Sequence, residues 1–251
     1  MANLAKTAAQ AQPTLFHKLL RALSCKGILG RVYTQNIDDL ELKSGLTTTG
    51  GEPSCVQLHG SVMKVQCMMC SFTENVYHHF STLHSGELPA CPGCEARIQR
   101  RKLEGKRITS QRGLLRPAII LYGETHPTGD HIAAMQSLDK SRADNLLVVG
   151  TSLKTFGSVG LIKEISTGIR ERGQGKVYYL DLAEHTRRVD GFKFDHVMQA
   201  DCQDFANHML DQLGTPEYML SADHFRGKEG LAYLVEAGRM REDMRPLWAW
   251  V

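Results

Sequence analysis

"RVYTQNIDDLELKSGL", residues 31–46, opens as a β-strand and then turns abruptly polar. Val32 and Tyr33 read as buried positions, and Gln35, Asn36, Asp38 and Asp39 follow at once. In an open parallel sheet, ligands bind beyond the carboxyl ends of the strands. Two amides and two carboxylates in that place are therefore either an ordinary solvated loop or the dock for a ligand rich in hydroxyls and amides.

Outward from this segment, "QPTLFHKLLRALS" (12–24) sets Leu15, Phe16, Leu19, Leu20 and Leu23 at helical spacing, with Gly27 as a stop. Downstream, "AIILY" (118–122), "LLVV" (146–149) and "VYYL" (177–180) read as buried strands. Helical patterns over 129–141, 158–172 and 202–213 alternate with them, the last with Asp201 as N-cap. Strand alternating with helix predicts an α/β fold, a Rossmann-like parallel sheet with helices on both faces. The composition agrees: 251 residues, 42% hydrophobic and 23% charged, suit one large domain or one domain carrying a smaller module. A net charge of +3 names no partner. No apolar run reaches the length of a membrane span and no signal-peptide core opens the chain, so no membrane role is expected.

Between the first two strands, over 61–115, both periods fade and cysteines gather. Cys67 and Cys70 form "CMMC"; Cys91 and Cys94 form "CPGC". Two CxxC hooks place four thiolates at the corners of a tetrahedron, which suits Zn²⁺. Four thiolates leave no open coordination position, so the ion reads as structural. His78, His79 and His84 lie between the hooks and could replace a thiolate, although solvated loop histidines are the plainer reading. Cys25, Cys55 and Cys202 read as core or surface thiols.

Residues 97–116 hold eight basic residues against the single acid Glu104. Such a run is most often a solvated face or loop; a weak nucleic-acid contact or a nuclear import signal is the other reading. The tail, 214–251, reads as a turn at "GTPEY" and then a helix with an apolar end. Two further polar loops follow strands: Gly123 and Glu124 after "AIILY", and Gly150, Thr151 and Ser152 after "LLVV". His59 in "QLHG" is either structural or a general base, its ordinary pKa lying near neutrality.

Together "YTQNID" (33–38), "QLHG" (57–60), the cysteine pairs, "RPAIILYGETHP" (116–127) and "VVGTSL" (148–153) resemble the sirtuin family of NAD-dependent protein deacylases, over roughly 1–213. "LYGE" and "GTSLKTFG" are similar to the fungal branch of histone-directed, nuclear sirtuins. The resemblance implies that Gln35, Asn36, Ile37 and Asp38 line the nicotinamide and ribose end of an NAD pocket. It implies that His59 is the catalytic base, with Asn36 beside it at the reaction centre. Gly150, Thr151, Ser152, Asp181 and Cys202 would meet the adenosine half, and Gly123 and Glu124 an acetyl-lysine peptide or histone tail added as a strand. The implied reaction moves the acetyl group of lysine to ADP-ribose with release of nicotinamide, in the nucleus or alternatively the cytoplasm.

Departures from the family pattern accompany the match. The family's glycine-rich phosphate loop and Pro-Asp-Phe-Arg segment are not found in these residues, so an incomplete sheet is expected. Asp39 stands where glycine is usual, and Asp181 where asparagine is usual. The domain boundaries expected are 1–60 with 116–213 for the Rossmann-like part, 61–115 for the zinc module and 214–251 for an extension. The alternative functions are a catalytically inactive zinc protein that binds histone peptides, and a basic zinc ribbon that binds nucleic acid.

Overall fold

The computed structural model describes residues 1–108, 111–173, 175–183, 188–189, 192–214 and 248–250. In order the elements are α1 (Ala2–Gln10), α2 (Leu15–Cys25), β1 (Leu29–Thr34), α3 (Leu40–Lys43), β2 (Cys55–Gln57), β3 (Gly60–Cys67), β4 (Thr73–Asn75), α4 (Phe80–His84), α5 (Pro92–Leu103) and β5 (Leu115–Ile119). There follow α6 (Gly129–Arg142), β6 (Asn145–Val149), α7 (Phe156–Glu171), β7 (Val177–Asp181), β8 (Arg188–Val189), β9 (Phe192–Lys193), β10 (His196–Gln199), α8 (Cys202–Gln212) and β11 (Trp248–Trp250). They divide between a smaller unit (1–11, 36–39 and 57–125) and a larger one (12–35, 40–56 and 126–251). Residues 1–11, 36–39, 57–60 and 116–125 cluster with the cysteine module.

In the larger unit, α2 opens with a capping box between Thr14 and His17. It closes where the Ile28 N–H reaches the Leu23 carbonyl and Gly27 turns to φ +67°, a conformation that costs glycine nothing. The sheet runs β10-β7-β6-β11-β1-β2, and the pairs β10–β7, β7–β6, β6–β11 and β11–β1 are parallel. Alternation along the strands directs Leu147, Val149, Tyr178 and Leu180 to a core shared with α2 and α8. Arg31 and Tyr33 of β1 reach Asp139 of α6 instead, so helices serve both faces. The side chain of Asp201 caps α8, accepting from the Gln203 N–H at 2.6 Å.

The tail departs from the sequence reading. Residues 215–247, which carry most of the expected helix, lie outside the described residues, but the apolar end is a strand. Trp248, Ala249 and Trp250 pair with Leu29, Arg31 and Val32 on one side and with Asn145, Leu146 and Leu147 on the other. The sheet read as incomplete is therefore continuous between β1 and β6. Two rows of main-chain donors and acceptors in a buried sheet need partners, and aromatic residues suit a strand there.

In the smaller unit β3 pairs antiparallel with β4 and β5. This corrects the expectation for 118–122, read as one of the parallel, buried strands. The strand is Leu115–Ile119, in a separate three-stranded sheet, and Leu121 and Tyr122 are exposed. Its apolar letters pack on one face only, against Val62, Val65 and the buried Ala5 and Ala8 of α1. Residues 92–103, where periodicity had faded, form α5. Pro92 occupies the first turn, and the Cys91 sulfur accepts from the Cys94 N–H. Cys94 is the one fully buried residue of that helix, so no apolar stripe could announce it.

Candidate functional site

The sulfurs of Cys67, Cys70, Cys91 and Cys94 all lie within 4.8 Å of one another. Cys67–Cys94 is 3.7 Å and Cys70–Cys91 is 3.6 Å. Zinc–thiolate bonds of about 2.3 Å in a tetrahedron require sulfurs about 3.8 Å apart, so the set fits a structural Zn²⁺. Main-chain donors support the sulfurs: Met69 N–H to Cys67 at 3.2 Å and Cys94 N–H to Cys91 at 3.4 Å. Burial pushes the Cys91 thiol up to about 12, while the Met69 N–H and neighbouring thiols outweigh burial and bring Cys67 down to about 7. Zinc binding displaces such protons. Gly113 seals the cluster, for a β-carbon there would stand 2.5 Å from the Cys67 sulfur and 2.8 Å from that of Cys94. His78 and His79 do not replace a thiolate in the cluster, each lying 2.7 Å from a Glu74 oxygen.

The larger unit holds the second constellation, at the carboxyl ends of β1, β6 and β7. Gln35 donates from Nε2 to the Thr151 hydroxyl at 2.9 Å and accepts at Oε1 from the Thr155 hydroxyl at 3.3 Å. The Tyr179 hydroxyl lies 2.8 Å from the Thr151 carbonyl and 3.1 Å from the Asp181 carboxylate. Burial, and then the Asp181 charge, raise the pKa of Tyr179, which keeps this phenol a donor. The structure thus joins Gln35, Thr151 and Asp181 through one hydrogen-bonded chain. Gly150 is exposed at φ +59° with open space where a side chain would stand, and its N–H binds the Leu180 carbonyl. Ser152 is exposed, and Cys202 is half-buried at the start of α8. Asp181 also accepts from the Ala183 N–H at 2.9 Å, so its carboxylate already serves its own loop.

The smaller unit holds Asn36, Ile37, Asp38, His59, Gly123 and Glu124. The Ile37 carbonyl accepts from the Val62 N–H and the His59 carbonyl from the Ile120 N–H, which pins both loops to β3 and the end of β5. Asn36 is exposed, while His59 and Asp38 are half-buried. Asp39 sits at φ +61°, the left-handed region that glycine enters freely and aspartate tolerates. That backbone accounts for the usual glycine here, and a 2.6 Å bond from Gln57 Nε2 holds the aspartate in place. Glu124 closes its own loop, accepting from the Leu121 N–H at 3.0 Å and Arg116 at 2.8 Å. The Leu121 bond first, and then Arg116, hold its carboxyl below the ordinary glutamate range.

Sequence reasoning missed Tyr179, Thr155 and Gly113. Tyr179 carried a signal, since alternation in "VYYL" turns one of its two tyrosines away from the α2–α8 core. Nothing local marks Gly113, which matters through contacts with residues 19 and 46 positions earlier.

A parallel α/β sheet with polar loops at its carboxyl ends, together with a four-thiolate module, defines a zinc-bearing Rossmann-like protein. The chain belongs to the Sir2 family, whose model matches residues 1–157. It is 34% identical to the NAD-dependent histone deacetylase HST3 of Saccharomyces cerevisiae, over 94% of this chain and 55% of that protein. To the NAD-dependent protein deacetylase hst4 of Schizosaccharomyces pombe it is 35% identical, over 84% and 52%. The chain thus spans about half the length of these relatives. Among solved structures it superposes on a Sir2 complex with a p53 peptide and NAD⁺ with a TM-score of 0.63, at 26% identity over 84% of this chain and 74% of that one. A Sir2Tm structure bound to a propionylated peptide gives 0.63, at 27% identity over 86% and 78%.

Proposed function

We propose that this protein is an NAD-dependent protein lysine deacetylase acting on acetylated histone tails in the nucleus. The observation that carries the reading is the bonded set Gln35–Thr151–Tyr179–Asp181, which ties three polar loops together at the sheet edge where nucleotides dock. Family membership and relatives named as histone deacetylases favour an enzyme over an inactive peptide-binding module.

In this reading Gly150, Thr151 and Ser152 receive the adenosine ribose, with Asp181 as a hydroxyl acceptor and Cys202 near the adenine. Gln35, Asn36, Ile37 and Asp38 hold the nicotinamide end. NAD supplies the electrophilic sugar carbon, and nicotinamide is its leaving group. His59 takes the proton from the ribose hydroxyl, a task suited to imidazole near neutral pH. Asn36 orients the reacting groups through its amide. Gly123 lets the peptide main chain approach closely, while Glu124 braces that loop from within. Zinc holds the smaller unit's hooks together and takes no chemical part. Residues 97–116 carry the charge for a further contact with nucleic acid.

The test is nicotinamide release from NAD by the zinc-loaded chain with an acetyl-lysine histone peptide. Release that His59→Ala abolishes, with zinc content unchanged, is expected. A folded, zinc-loaded protein that releases none would overturn the enzyme reading.

A further inference from the structure

Residues 61–115 contain eight lysines and arginines against four acids, so this stretch alone accounts for the positive net charge of the chain. The structure divides the cations of the basic run into two sets. Arg97 points inward to the Cys94 sulfur at 3.7 Å, and Arg101 binds the Arg107 carbonyl through Nε and Nη2 at 3.1 and 2.9 Å. Lys106 pairs with Glu104, and Arg116 with Glu124. Arg100, Lys102, Arg107 and Arg112 are exposed and have no ion-pair partner among the described residues. Lys102 and Arg112 share a shallow cleft of about 360 Å³ with Gln99; the one acid lining it is Glu95.

We propose that the exposed side of α5, together with Arg107 and Arg112, forms a docking surface for the phosphate backbone of nucleic acid. The inward arginines brace the surface. Arg97 packs on Cys94, one turn earlier in the same helix, and Arg101 holds the Arg107 carbonyl against the helix end. Arg100, Lys102 and Arg107 are thereby presented on a braced helix end, and Arg112 stands beside Gly113, whose carbonyl accepts from the Cys91 N–H, which lowers the entropic cost of binding. Three of the four are arginines, whose planar fork matches phosphate oxygens. A uniform polyanion asks for no particular spacing of cations, whereas a peptide ligand needs buried anchors, and this cleft is lined mainly by polar and small groups. The surface stands independently of the deacetylase reading.

The experiment is fluorescence anisotropy of the zinc-loaded full chain with a labelled 20-base-pair DNA duplex between 50 and 200 mM salt. Four phosphate contacts give a slope of log K on log salt of about −3.6, a roughly 100-fold loss of affinity over that range. Arg100→Ala/Lys102→Ala/Arg112→Ala should reduce the slope by about 3, and Lys102→Ala or Arg112→Ala alone by about 1 each. Lys6→Ala, on exposed α1 surface, should leave the slope unchanged. Zinc stoichiometry checks that each variant is folded. A wild-type slope near zero, an unchanged slope in the zinc-loaded single variants, or equal displacement by a polyglutamate peptide of the same charge would overturn the proposal.

Discussion

Gln35 and Thr151, 116 residues apart in the chain, meet as a 2.9 Å hydrogen bond between the loops that follow β1 and β6. Thr151 is buried and its carbonyl is held by Tyr179, so this contact fixes the separation of the two loops. Thr151→Val keeps the shape and removes an acceptor shared by Gln35 and, at 3.3 Å, the Leu153 N–H, leaving Gln35 its bond from Thr155. One neutral hydrogen bond contributes about 0.5–1.5 kcal/mol. ADP-ribose affinity, read by calorimetry, should fall between about 2-fold and 10-fold with zinc content unchanged. An unaltered dissociation constant would remove Gln35 and Thr151 from the binding site.

Beneath that loop, Arg31 and Asp139 form a buried ion pair at 2.7 Å, joined by the Tyr33 hydroxyl at 2.7 Å, while Arg31 also donates to the Pro53 carbonyl. Removing one partner strands the other charge in a dry interior. Asp139→Ala should therefore cost about 3–5 kcal/mol in urea unfolding, and Tyr33→Phe about 1 kcal/mol. Arg31→Met/Asp139→Leu should recover most of the loss, because the pair repays little beyond its own desolvation. If the double variant is as unstable as the single, main-chain bonds from Arg31 matter more than the charge balance.

Acid should open the loop that Glu124 closes. Its folded pKa lies below the ordinary glutamate value, so the bonds to Leu121 and Arg116 contribute fully above the unfolded value of about 4.3. That contribution is lost as pH falls through the lower folded value. The Leu121 amide resonance should shift with a midpoint below pH 4.3, and Glu124→Gln should abolish that titration. A midpoint at or above the ordinary value would mean that the contacts do not form in solution.

The parts of this fold that are local were legible in the sequence. Leu19, Leu20 and Leu23 declare α2 by spacing, Gly27 ends it, and "LLVV" and "VYYL" mark β6 and β7 within a residue. The cysteine hooks needed only their own spacing. What failed were features decided at a distance. "AIILY" reads as a buried parallel strand because its letters are apolar, yet pairing with β3 stops at Ile119 and leaves Tyr122 in solvent. The tail ends in a strand because β1 and β6 offer unpaired main chain, information held 100 and 200 residues away from it. In the site, Gln35 and Thr151 were each readable as polar loop residues, but the bond between them was not, since no pattern links two loops before the sheet forms.

Gly113 gives a test of the metal centre that leaves all four cysteines in place. Its carbonyl accepts from the Cys91 N–H at 2.8 Å, and a methyl group at its α-carbon would overlap two of the sulfurs. Gly113→Ala should weaken zinc about 10- to 100-fold, as supporting-residue changes at metal sites do. Competition with a chromophoric chelator measures this directly. Zinc affinity equal to wild type would mean that the 111–114 loop moves aside at no cost.

Ala249 lies opposite both Arg31 and Leu146, so its N–H and carbonyl belong to a central strand. Proline there deletes a donor and crowds the neighbouring chain, and central strands exclude it for that reason. Ala249→Pro should lower the unfolding free energy of the larger unit by about 1–3 kcal/mol, the cost of a buried ladder acceptor left without its donor. Amide exchange in β1 and β6 should accelerate at Arg31 and Leu147, the residues flanking the slot. The cysteine cluster draws nothing from this strand, so zinc retention should match the wild type, separating loss of β11 from general misfolding. Unchanged exchange at both positions would mean that β11 does not occupy the slot in solution, and the pairing of β1 with β6 would need another account.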